Sequence, residues 1–92
     1  MKNKENILLI KSYAFAIRIV NLYKYLIKEH KEFVMSKQVL DSGTAVGALI
    51  RESVYAQSTA DFINKLSISI KEANETMYWL ELLNDTNYMD KK

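Results

Sequence analysis

No proline occurs in these 92 residues, and the only two glycines, Gly43 and Gly47, stand four positions apart. A chain of many strands needs many turns, and turns draw heavily on those two residue types. Their scarcity predicts few, long helices. Both glycines lie in the stretch DSGTAVGALIRES, residues 41–53, where Ser42, Thr44, Ala45 and Ala48 join them. Elsewhere the chain is built largely from Leu, Ile, Val, Tyr and Phe. Two readings of the stretch compete: a loop that cradles phosphate, or a place where helices come close.

The phosphate reading is the weaker. A P-loop needs G-x-x-x-x-G-K-[ST] after a strand, and a dinucleotide fingerprint needs a third glycine within a βαβ unit. Here the spacing is Gly43-x-x-x-Gly47, no lysine follows, and no strand pattern precedes. Ser42 as a nucleophile would need a base, and the single histidine, His30, falls in a charged connection with no evident acid partner. On a helix, residues four apart share a face. Gly43 and Gly47 would then make a flat groove flanked by Thr44 and Ala48. Interior glycines cost roughly 1 kcal/mol each in helix propensity, so close packing against a bulky neighbour is the expected compensation.

That neighbour is the first helix, expected over about 5–30. Phe15, Ile19, Leu22 and Leu26 repeat at helical spacing, and Ala16, Val20, Tyr23 and Ile27 form a second apolar row beside them. Ile10, Tyr13 and Ile17 widen the stripe beyond the ~100° that one packed face requires. The surplus predicts a second neighbour, such as another copy of the chain. Charged EHKEFVMS, residues 29–36, reads as a connection, with Phe33 and Met35 folded back onto the bundle and Ser36 as N-cap of a second helix over about 36–56. Ser58 and Asp61 form a capping-box pattern opening a third helix over about 59–84. Asp61–Lys65 and Lys71–Glu75 are i,i+4 pairs. Short connections make the three helices antiparallel neighbours, an all-α up-down bundle in one domain, 1–92.

With no cysteine, disulfides and thiolate metal sites are excluded, which fits a cytoplasmic location. The N-terminal apolar run is broken by Lys11 and Arg18 and lacks a small-residue cleavage site, so it does not read as a signal peptide. No apolar stretch approaches the ~20 residues of a membrane-spanning helix. Net charge is +2, but residues 1–51 carry nine Lys/Arg against four Asp/Glu, and residues 52–92 four against seven. The basic half points weakly to a polyanionic partner.

The candidate polyanion surface is one strip of helix 1. Lys4, Lys11 and Arg18 recur every seven residues, nearly two turns, with Lys24 and Lys28 read as lying further round it. Lys37 and Arg51 on helix 2 are next in line. Glu52, Glu72 and Glu75 raise a metal site, but a bundle di-metal site wants Glu-x-x-His, and no histidine accompanies them. Ion pairs of Glu52 or Glu72 with Arg51 or Lys65 are the better reading. Tyr78 and Trp79 adjoin each other and point about 100° apart, so they cannot both stack bases on one face. They are expected to anchor packing, with the indole N–H finding a partner. No cofactor and no catalytic set emerge, so the expectation is a non-enzymatic protein.

The blocks KSYAFAIRIVNLYKYL, QVLDSGTAVGALIRES and DFINKLSISIKEANETMYWLELL resemble the small bacterial four-helix-bundle proteins first met as open reading frames in ribosomal RNA intervening sequences. The diversity-generating retroelement accessory protein is similar to the same group. The resemblance spans about residues 12–83. It implies an antiparallel four-helix bundle assembling as a ring, typically a homopentamer, without enzyme activity. Nucleic-acid binding, RNA or DNA, is proposed for part of the group through basic surfaces of the ring. Ser42, Gly43, Gly47, Ile50 and Glu52 fall on the family's small-residue block, and Asp61, Phe62 and Lys65 on the start of its third helix. Lys71, Glu72, Ala73, Glu75, Tyr78 and Trp79 fall on its last block. Leu49 departs from the usual asparagine. The family's fourth helix is absent or truncated in a sequence that stops at Lys92, which implies an apolar groove open to a neighbouring chain. The resulting expectation is an oligomeric scaffold or adaptor binding structured nucleic acid non-specifically. The alternative is an assembly module that contacts only a protein partner.

Overall fold

The computed structural model describes residues 6–89. They form α1 (Ile7–His30), α2 (Met35–Val54) and α3 (Thr59–Asp85), joined by short connections. The expected bounds hold to within two residues at each end. The molecule is a rod of 43 × 23 × 18 Å with a radius of gyration of 14.7 Å, against the ~12 Å of a compact domain this size. The elongation has a simple cause: α1 and α3 each pack along α2 and scarcely approach one another.

The α1–α2 crossing is set by the two glycines. A Cβ at Gly43 would stand 2.8 Å from Ile19 Cγ1, and one at Gly47 would stand 3.2 Å from Ser12 Oγ and 3.3 Å from the Ser12 carbonyl oxygen. Ile19 and Ser12 are both buried. Helix 1 therefore fills the space that side chains would need, and glycine is what permits the approach. Neither glycine ends a helix. The left-handed residue closing α1 is Lys31 (φ 52°), whose N–H reaches Ile27 O while that of Glu32 reaches Leu26 O. Asn87 (φ 71°) plays the corresponding part after α3, where Tyr88 N–H bonds Leu83 O. Glycine is the commoner choice at such positions.

The α2–α3 contact runs along a seam of hydroxyls. Ser69 donates to Val46 O at 2.9 Å, and the Thr76 hydroxyl lies 2.9 Å from Ser42 Oγ. Ser42 in turn donates to Gln38 O. Among the described residues no buried side-chain polar atom lacks a partner, as burial of such groups demands.

The start of α2 differs from expectation. Ser36 is not the cap; it is fully buried in the first turn and donates to Glu32 O at 2.6 Å. Glu32 caps the helix instead, its carboxylate accepting from the N–H groups of Val34 (3.2 Å), Met35 (3.0 Å) and Ser36 (2.7 Å). A carboxylate suits these orphan donors and the positive end of the helix dipole. Phe33 is exposed rather than folded back, while Met35 does pack on the core. At α3 the capping box forms: Asp61 N–H donates to Ser58 Oγ at 3.1 Å. Lys65 bonds the Asp61 carboxylate at 3.1 Å, and Gln57 N–H adds a second bond. These two contacts hold the Asp61 carboxyl below its ordinary pKa, the lysine contributing most.

The core gathers where α1 turns into α2. Leu26, Val39 and Leu83 are fully buried there, with Ile19 nearly so, and Trp79, Tyr88 and Met89 pack around them. His30 belongs to this end too. It is the last residue of α1, with Nε2 3.2 Å from the Tyr25 hydroxyl and its ring edge-on to Tyr88. At the opposite end the helices splay, and a cavity of about 560 Å³ opens between Leu8, Ile50, Phe62 and Leu66.

Candidate nucleic-acid interface

Helix 1 carries more apolar surface than its neighbours cover. Ile10, Tyr13 and Ile17 are about half exposed or more, as are Ile7 and Leu8. Lys11 and Arg18 are exposed beside them. Seven residues apart, those two cations align to within roughly 20°. They stand about 100° round the helix from Ile10 and Ile17. The ion pairs among the described residues are Lys37–Asp41 (3.0 Å) and Lys65–Asp61 (3.1 Å). Among the described residues, neither Lys11 nor Arg18 has an ion-pair partner.

The four described cations of the strip, Lys11, Arg18, Lys24 and Lys28, do not share one face. Lys24 and Lys28 are exposed, but six and ten residues beyond Arg18 they lie roughly 80–120° round the helix. They continue the Ile10–Ile17 face, not the Lys11–Arg18 face. Lys4 lies outside the described residues. Of the helix 2 cations, Lys37 is paired with Asp41, and the Arg51 guanidinium sits over the Tyr13 ring, 5.9 Å from its centroid. The expected pairs of Arg51 or Lys65 with Glu52 or Glu72 do not form, nor does Lys71–Glu75, because Lys65 is held by Asp61 and the described ion pairs are the two above.

The residues set down as a packing motif divide similarly. Ser42, Gly43 and Ile50 are buried at helix contacts, and Gly47 is half-buried at the crossing. Trp79 packs against the core with its indole N–H on Glu75 Oε2 at 3.3 Å. Glu52 and Tyr78 are exposed. Tyr78 touches Trp79 edge-on, ring centres 5.0 Å apart. The hydroxyl of Ser42 is committed to the seam with Thr76. Among the described residues no group of three or more His, Asp or Glu side chains comes together as a metal site. No described helix is long and apolar enough to cross a membrane.

The family model of the 23S rRNA-intervening sequence proteins matches residues 4–92. The chain belongs to this family. A solved structure of a protein of unknown function from the S23 ribosomal protein family of Bacteroides thetaiotaomicron VPI-5482 superposes with a TM-score of 0.90. It is 65% identical, over 91% of this chain and 78% of that one. No curated protein matches this chain. This intervening-sequence protein thus shares its overall helical architecture with a solved relative. Sequence reasoning missed Glu32, although a glutamate four positions before a serine at a helix start was there to be read.

Proposed function

We propose that this intervening-sequence protein is a non-enzymatic oligomeric scaffold that binds structured nucleic acid without base preference. The observation that supports the reading is the outer surface of α1, where exposed Ile10, Tyr13 and Ile17 adjoin the exposed cations Lys11 and Arg18. Apolar faces of this size on a small chain are ordinarily covered by a partner. A second copy covering Ile10 and Ile17 would leave Lys11 and Arg18 facing outward, repeated once per subunit. Five copies is the number the family resemblance implies, and a cytoplasmic setting suits a cysteine-free chain. Exposed Ile63, Ile70 and Met77 on α3 favour the second reading, an assembly module that contacts protein alone.

Light scattering and a binding titration at two salt concentrations test this together. The expected result is a stable oligomer whose affinity for duplex RNA falls steeply with salt, as counterion release requires. Replacing both cations, Lys11→Glu with Arg18→Glu, should abolish binding while leaving mass and helicity unchanged. A monomer at micromolar concentration overturns the scaffold. An oligomer with no binding at ~50 mM salt leaves the protein-only module.

A further inference from the structure

The open end of the bundle holds a groove that shares Tyr13 with the apolar face of α1 but includes neither Ile10, Ile17, Lys11 nor Arg18. A cavity of about 730 Å³ lies between the first half of α1 and the second half of α2, and the first turns of α3 close one end. The small residues Ala16, Gly47 and Ala48 are part of its lining. Three larger side chains stand on the rims: Tyr13 from α1, Arg51 from α2 and Tyr55 just beyond it. Tyr13 is 59% and Tyr55 79% exposed, so both rings offer themselves to whatever enters.

The charges on the groove are arranged unequally. Lys65 in the wall is neutralised by Asp61 at 3.1 Å. Arg51 has no carboxylate partner among the described residues; it leans on Tyr13, 5.9 Å from the ring centroid. A guanidinium held by a ring face keeps its fork of N–H donors for an anion, and Arg matches phosphate geometry in particular. Exposed Glu52, its neighbour in sequence, supplies an acceptor suited to an amine edge.

Two phenol rings, one free guanidinium and one free carboxylate describe a ligand that is planar, aromatic, anionic at one end and rich in N–H at its edge. A nucleotide has all four properties. The volume falls within the ~300–1,000 Å³ usual for small-molecule sites. A base held in a duplex is stacked on both faces and paired at its edge, so only an unpaired one can enter. We propose that this groove takes one unpaired nucleotide of an RNA strand, its base against Tyr13 and Tyr55 and its phosphate at Arg51. The proposal rests on the nucleic-acid reading above and adds to it: the Lys11–Arg18 face attracts the backbone, and the groove selects single-stranded positions.

The test is fluorescence anisotropy of a labelled single strand of about eight nucleotides and of a blunt RNA duplex, with wild-type protein and the variants Arg51→Ala, Tyr13→Ala and Tyr13→Phe. Tyr13→Ala should lose about 5- to 150-fold of single-strand affinity, the range of one base stack; Arg51→Ala should lose single-strand affinity with its phosphate contact, and duplex affinity should be nearly unchanged in both. Tyr13→Phe should keep wild-type affinity, because the ring face is what the base meets. Unchanged single-strand binding in both alanine variants, with the Lys11→Glu, Arg18→Glu protein still losing duplex binding, overturns the groove and leaves the general reading intact. No binding of either RNA at low salt overturns the general reading and the groove with it. A fall in oligomer mass in either alanine variant marks the groove as an interface between copies and overturns the assignment. Adenosine monophosphate binding as tightly as the strand overturns the choice of a strand.

Discussion

Leu26, Val39 and Leu83, at the end where α1 turns into α2, are removed from solvent, whereas Ile7, Leu8, Phe62 and Ile63 at the opposite end are 40–56% exposed. Both ends carry large apolar side chains. They differ in what converges on them. At the closed end the residues after α3 fold back, Tyr88 meets His30, and side chains from all three helices share one core. At the open end α1 and α3 flank α2 without meeting, and grooves remain on either side. Apolar composition supplies the driving force for burial, but burial itself needs a third surface. The stability of this chain should therefore concentrate at the closed end, and its interactions with other molecules at the open end.

The largest test of that contrast is a pair of truncations. Leu83→Ala should cost about 2–5 kcal/mol, because it removes a fully buried side chain from a core with no slack. Ile63→Ala should stay within about 0.5 kcal/mol. Urea denaturation measures both. An equal cost for Ile63→Ala would mean that the open end is covered in solution, and the contrast between the ends would vanish.

The glycine crossing, between the two ends, comes next. Gly47→Leu should cost about 1–3 kcal/mol or more by overpacking against α1. Gly47→Ala should also destabilise, since its Cβ would press on the Ser12 backbone oxygen at 3.3 Å. Gly43→Ala meets the buried Ile19 side chain at 2.8 Å and should be at least as costly. A Gly47→Leu protein that melts like wild type would free α1 from α2 and break the account of the crossing.

The smallest effect belongs to the start of α3. The folded state lowers the Asp61 pKa, chiefly through Lys65, so Asp61 contributes stability above the ordinary aspartate pKa. That contribution is lost as pH falls through the lowered folded value. Amide hydrogen exchange across this acid range should show protection weakening at Ser58–Phe62 in wild type. In Asp61→Asn the same amides should be less protected at neutral pH and respond little to acid. A uniform loss across α3 would show that the cap is not a local device.

The three helices were legible because their signals are local. Missing prolines, apolar spacing and the Ser58–Asp61 pattern each act within a turn or two of chain. The Gly43–Gly47 crossing was legible for a related reason: a helix tolerates two interior glycines only where something occupies their space. The capping of α2 was misread because a buried carboxylate four residues upstream competed with a serine, and the geometry of the connection decided between them. The basic strip was misread by angle. Lys24 and Lys28 look continuous with Lys11 and Arg18 along the sequence, but a helix carries them onto another face.

By itself, then, the sequence determined the elements, their order and the place where two helices touch, since propensity, capping and side-chain volume are properties of neighbouring residues. Which apolar faces stay open, which cations remain unpaired and how Tyr13, Arg51 and Tyr55 come to rim one groove were decided only by the tertiary structure. Those features depend on the distance between helices far apart in the chain, and α1 and α3 keep that distance because each spends its packing on α2.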